Sequence, residues 1–96
     1  MIVHIVMFKF KDEKKEANIE EVTSRLNALV DLIPALKSME VGVDFNKSER
    51  AFDLSLYSTF WDKEDLQAYA VHAEHLKVVE LIKEVTLEAK VVDYVL

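Results

Sequence analysis

The chain contains no cysteine, one glycine and one proline among 96 residues. Without cysteine there is no disulfide framework, no thiolate zinc site and no cysteine nucleophile. The lack also fits a reducing compartment, so a cytoplasmic location is expected. So little glycine and proline excludes collagen-like and low-complexity classes. Positive charge is scarce as well: twelve basic against eighteen acidic residues leave a net charge of −6, and no basic cluster exceeds Lys14-Lys15. Binding to a phosphate backbone by one chain is therefore not expected, and nucleic acid is excluded as a partner. No apolar run approaches the roughly 18–20 residues that span a bilayer, so no membrane partner is expected. The start, Met1 to Phe8, is apolar but lacks a preceding positive region and a following small-residue cleavage site. It reads as a first strand rather than a signal peptide.

What is present is a hydrophobic share of 51% with 31% charged residues, which excludes a disordered chain. The length suits one compact domain, 1–96, that buries only roughly two-thirds of the surface of its unfolded chain. Residues 1–10 are rich in Ile, Val and Phe and predict a strand. From Ala17 to Ile33 the residues Ile19, Val22, Leu26, Leu29, Val30 and Ile33 recur at three and four, one face of a helix. Pro34 disfavours helical geometry at Ile33 and marks the exit. Met39, Val41, Val43 and Phe45 alternate with polar residues or glycine, and so do Phe52, Leu54, Leu56 and Phe60 with Asp53, Ser55, Tyr57 and Thr59. Joined by the polar turn 46–50, these predict an antiparallel hairpin.

Asp62 is placed to cap a helix that runs to about Ala70, with acids in its first turn. The apolar stripe is re-phased at Val71-His72-Ala73-Glu74, which predicts a bend. A second helical stretch carries Val78, Val79, Ile82 and Val85, and Lys90 to Leu96 reads as a last strand. The order β-α-β-β-α-β predicts an α+β, ferredoxin-like fold: an antiparallel sheet with helices on one face. The other face would carry Val3, Ile5 and Met7, and the last strand is apolar on both sides. Exposed apolar surface costs about 25 cal/mol per Å². A homodimer through the bare sheet face, a dimeric α/β barrel, follows as the expectation. Glu40, Asp44, Asp53 and Ser55 would make that seam partly polar, with Asp53 as a hydrogen-bonding residue of the dimer.

Three histidines are available for chemistry: His4, His72 and His75. His4 shares a strand face with Ile2, Val6, Phe8 and Phe10, so it is expected between sheet and helices. His75 leads the inner stripe of the last helix, and Tyr69 follows Leu66 by three on the inner side of the preceding one. These three side chains are expected to converge on a small pocket, with His72 on its flank. Imidazole titrates near neutral pH and is the usual general acid or base. A phenol beside it can orient it, or donate to a carbonyl oxygen as charge builds. Such a pocket with apolar walls suits proton abstraction next to a carbonyl, with no metal or cofactor. A histidine on an apolar strand is also a common hydrogen-bonded core residue, and Trp61 reads as a staple before the cap. His72-x-x-His75 with His4 or Glu74 is the one metal arrangement on offer. Zinc motifs on helices favour a spacing of four, so no metal is expected.

Several segments together resemble the stress-responsive A/B barrel domain (Dabb) family. They are His4-Ile5-Val6-Met7-Phe8-Lys9-Phe10-Lys11, Ile33-Pro34-Ala35-Leu36-Lys37, Phe52 to Phe60, Leu66-Gln67-Ala68-Tyr69 with His72-Ala73-Glu74-His75, and the closing Val92-Asp93-Tyr94. The resemblance covers nearly the whole chain. It implies dimeric α+β barrels of ferredoxin-like subunits. A plant polyketide cyclase in that family closes a linear thioester by aldol condensation without a metal, and its catalytic tyrosine and histidine match Tyr69 and His75. Its strand-1 pocket histidine matches His4. Leu54 and Leu26 stand where it has a further histidine and tyrosine, and His72-Ala73 stands where the family often has His-Pro. The implied pocket is walled by Leu54, Leu26, Val6, Phe8, Val79 and Ile82, with a small apolar carbonyl compound as ligand. His75 would take the proton, Tyr69 would position His75 or the oxygen, and His4 would hold the carbonyl or carboxylate. The implied function is cofactor-free, lyase- or cyclase-like proton transfer. The alternative is a non-catalytic, stress-associated dimer with structural histidines. A third class, cofactor-free monooxygenases of the same architecture, rests on fold analogy alone.

Overall fold

A computed structural model describes all residues, Met1–Leu96. The elements are β1 (Ile2–Phe10), α1 (Lys15–Leu32), β2 (Ser38–Val43), β3 (Leu54–Phe60), α2 (Lys63–Val71), α3 (Ala73–Val85) and β4 (Thr86–Val95). The strands form one antiparallel sheet in the order β2-β3-β1-β4. This is the ferredoxin-like arrangement, with the second helical region split in two. No helix is long and apolar enough to cross a membrane.

Local chemistry sets the boundaries. Ile33, extended ahead of Pro34, ends α1, and its amide still reaches the Leu29 carbonyl. The Asp62 carboxylate accepts from the Asp65 amide at 2.8 Å and starts α2. The last strand begins at Thr86, four residues earlier than its apolar pattern suggests. Thr86 is extended (φ −113°, ψ 153°), and its hydroxyl donates to the Ile82 carbonyl at 2.7 Å, so helix passes to strand with no loop.

One core lies between the sheet and the helices. Ile2, Val6, Phe8 and Phe10 of β1 and Leu54, Leu56 and Phe60 of β3 pack on Ile19, Val22, Leu26 and Leu29 of α1 and on Ile33. The buried α1 positions keep the 3-4 alternation from 19 to 33. Val30 falls off that stripe and is exposed, contrary to the expected face. Val43 and Phe45 are exposed as well, because β2 ends at Val43 and Phe45 lies in the loop to β3.

The opposite face carries Val3, Ile5 and Met7, flanked in register by Thr59, Tyr57 and Ser55 on one side and Tyr94, Val92 and Lys90 on the other. Val3 is fully buried, while Met7, Tyr57, Val92 and Tyr94 stay exposed. Asp53 does not serve that face. Its amide donates to the Phe8 carbonyl at 2.9 Å, and just ahead of the start of β3 at Leu54 its Oδ2 accepts from the next amide on that edge, Phe10, at 2.7 Å. Lys15 Nζ lies 3.7 Å from the other oxygen. The carboxylate therefore fastens the end of β1 within its own chain. Trp61 is not a staple either: it is exposed, with Lys37 Nζ 4.7 Å from its ring centroid.

Candidate functional site

Three elements bring the aromatic polar residues together. His4 sits on the inner face of β1, opposite Ser58 on β3 and Asp93 on β4. Tyr69 lies on α2 and His75 on the first turns of α3. The break between the helices aligns them. His72 Nδ1 accepts from the Glu74 amide at 3.1 Å and caps α3. The His75 ring then comes over Tyr69, with centroids 4.3 Å apart and planes inclined at 42°. Tyr69 also meets Phe60 at 5.1 Å and His4 at 6.3 Å, and Phe60 meets His4 at 6.4 Å. The convergence of His4, Tyr69 and His75 is thus a feature of the fold. His72 has a separate task as a cap. No three His, Asp or Glu side chains come together in a way that could hold a metal ion.

Hydrogen bonds define what each group can do. His75 Nδ1 is 3.0 Å from the Ala70 carbonyl. A carbonyl only accepts, so Nδ1 carries the proton and Nε2 keeps the lone pair. Burial lowers the pKa of His75; the Ala70 bond opposes this, and the electrostatic influence of the neighbouring His4 and His72 imidazoles adds to it. Neutral His75, the form able to take a proton, is the one favoured. The Tyr69 hydroxyl is buried without a hydrogen-bond partner. Burial alone raises its pKa above the usual phenol range, so it remains a donor. An unpartnered buried hydroxyl costs about 1–3 kcal/mol. Tyr69→Phe is therefore expected to raise stability by about 1 kcal/mol, read as a higher midpoint in thermal unfolding.

Beside these rings a cavity of about 330 Å³ opens between sheet and helices. That lies at the small end of ligand pockets. Of the residues expected around it, His4, Val6, Phe8, Leu26, His75, Val79 and Ile82 line it. Leu54 does not. It pairs with Phe8 near the end of the sheet, and Leu56, opposite Val6, takes the wall instead. Tyr69 stands behind His75 rather than on the cavity surface. Val78, Thr86, Ala89 and Val91 complete the apolar wall, with Lys83 also on the lining.

Sequence reading missed Asp93. Its Oδ1 accepts a hydrogen bond from His4 Nδ1. Alternation in the last strand was a usable signal, since Asp93 breaks an apolar run in phase with Val91 and Val95. What it lacked was the β1–β4 register that sets Asp93 opposite His4.

Known proteins resemble this chain over most of its length. Olivetolic acid cyclase of Cannabis sativa is 30% identical over 95 residues, covering 97% of this chain and 94% of the cyclase. A stress-response A/B barrel domain-containing protein of Arabidopsis thaliana is 38% identical over 80 residues, 83% of this chain, and the match spans only 30% of that longer protein. A crystal structure of a dimeric protein of unknown function with a ferredoxin-like fold, from Bacteroides fragilis, superimposes with a TM-score of 0.89 at 31% identity, covering 97% of this chain and 93% of that one. Residues 2–96 match the family described as the Stress responsive A/B Barrel Domain, and the chain belongs to that family.

Proposed function

We propose that the chain is a homodimer through the bare sheet face, and that each protomer binds a small apolar carbonyl compound in the 330 Å³ cavity. His75 there removes a proton from the carbon beside the carbonyl. The observation that carries this reading is His75 itself. Its Nδ1 is tied to the Ala70 carbonyl, its ring rests on a tyrosine whose hydroxyl has no partner, and it lines an apolar cavity. That is a general base in a fixed tautomer, backed by the ring that sets its orientation. The step needs only these side chains. The C–H bond breaks, an N–H bond forms at His75 Nε2, and the electron pair moves into an enolate. Tyr69 positions His75, and His4 holds the oxygen.

The similarity to a protein named as a cyclase supports an enzymatic use of this site. The dimeric neighbour and the exposed Met7, Tyr57, Val92 and Tyr94 support the assembly. A cytoplasmic setting rests on the absence of cysteine. One observation favours the second reading, a non-catalytic stress-associated dimer with structural histidines: His72 is already committed to capping α3.

The test is solvent-deuterium exchange into the methylene of a β-diketone such as benzoylacetone, followed by NMR. The protein is expected to accelerate exchange with saturation. The rising limb of the rate against pH should have its inflection below the ordinary imidazole value of 6.5, because only neutral His75 accepts the proton. The same lowered pKa has a stability consequence. The unfolded chain binds more protons below pH 6.5, so this contribution is present above that value and is lost as pH falls through the folded value. Sedimentation is expected at twice the chain mass of 11.1 kDa. No acceleration at any pH, together with unmoved His75 signals on adding the diketone, selects the structural reading.

A further inference from the structure

Inward-facing residues of β4 are Ala89, Val91, Asp93 and Val95, paired in register with Phe8, Val6, His4 and Ile2. A carboxylate in that series stands out chemically, and its partner is an imidazole rather than water alone. The two imidazoles of the site are thus anchored by opposite kinds of group. His75 donates its Nδ1–H to a neutral carbonyl, and His4 donates its Nδ1–H to a carboxylate. A carbonyl fixes a neutral ring, whereas a carboxylate also compensates a charged one.

Resting on the proton-transfer reading above, we propose that Asp93 is a positioning residue that assigns His4 the opposite role to His75. Asp93 holds His4 Nδ1 protonated and compensates the imidazolium, so that Nε2–H is presented as a donor to the ligand's carbonyl oxygen. As His75 Nε2 takes the carbon-bound proton, the electron pair moves onto that oxygen, and the His4 donor stabilises the charge. The proton on His75 Nε2 exchanges with solvent, and returning a proton or deuteron from that nitrogen to carbon restores the ligand and neutral His75. The surroundings suit this division. His75 and Tyr69 face His4 from the helices, and Lys83 lies on the lining of the same cavity. Asp93 itself lines a second opening of about 280 Å³, between α2 and the end of β4, with Lys63 and Gln67. His4 is the only basic side chain within 4.0 Å of the Asp93 carboxylate. Solvent therefore reaches the carboxylate from the side away from the ligand cavity, and the pair can stay hydrated while the ligand is enclosed.

Imidazole nitrogen NMR shifts and diketone exchange test this together. In the wild type at alkaline pH, His4 is expected to carry its proton on Nδ1, although a free neutral imidazole favours Nε2. Asp93→Ala is expected to return it to Nε2. Asp93→Asn, which keeps size and shape, should slow exchange roughly tenfold with KM changed less than twofold, the weight of one charge-assisted hydrogen bond. In a His4→Ala background the same substitution should have no further effect, because Asp93 acts through His4. A wild-type His4 already protonated on Nε2, or an undiminished Asp93→Asn effect without His4, overturns the assignment. A wild type inactive in exchange but showing the Asp93-dependent tautomer instead removes the proton-transfer reading and leaves Asp93 as the group that orients His4.

Discussion

Replacing His75 by alanine is expected to slow β-diketone exchange by roughly 10²–10⁴-fold, the usual weight of a positioned general base. The loss should appear without unfolding. His75 is half-buried in the first turns of α3, where alanine is a strong helix former. The substitution gives up one hydrogen bond to Ala70 and one ring contact with Tyr69, together about 1–3 kcal/mol. Circular dichroism and sedimentation should remain those of the wild type. The vacated volume adjoins the ligand cavity, so added free imidazole should restore part of the rate. His72→Asn is the matched control. Asparagine is also a good cap, and His72 takes no part in the cluster, so exchange should stay within about twofold of the wild type. A folded His75→Ala protein with an unchanged rate would remove His75 from the chemistry.

Phe60→Ala carries the largest expected stability effect, a loss of about 3–5 kcal/mol. Phe60 is fully buried at the end of β3, opposite Ile2, and its ring packs on His4 and Tyr69. A domain of this length has only about 5–14 kcal/mol to lose, so the thermal midpoint should fall by roughly 15 °C or more. The effect reaches the site as well. Phe60 is the apolar backing against which His4 and Tyr69 hold their orientation, so the folded fraction should also bind the diketone less well. Phe45→Ala supplies the contrast. That ring is 90% exposed in the loop after β2, and its removal should change stability by less than about 0.5 kcal/mol. A loss below about 1 kcal/mol for Phe60→Ala in urea unfolding would contradict the packing described.

Much of the fold was legible because its signals are local. Alternation along β1 identified the face that carries His4, and the 3-4 spacing of Ile19, Val22, Leu26 and Leu29 identified the buried stripe of α1. Pro34 and Asp62 stop and start helices through groups within a few residues of themselves. The re-phasing at His72 showed the bend. What was misread depends on other parts of the chain. Val30 and Phe45 are apolar enough to belong inside, yet coverage ends before it reaches them. Asp53 looked like a residue of the bare face because alternation continues through it. Regular β3 pairing begins only at Leu54, so the Asp53 side chain instead of a backbone carbonyl meets the Phe10 amide, a fact invisible in either strand alone.

The candidate site divides along the same line. By itself, the order of residues determined that His4 lies on an inner strand face and that Tyr69 and His75 lie on inner helix faces, because periods of two and 3.6 are properties of a single segment. Only the tertiary structure decided that Leu56 rather than Leu54 walls the cavity, that the Tyr69 hydroxyl is left unpartnered, and that Asp93 meets His4. Those facts follow from the pairing register of β1 with β3 and β4 and from the angle at which α3 leaves His72. Register and angle are set by the packing of distant segments against one another, and no stretch of sequence carries that information alone.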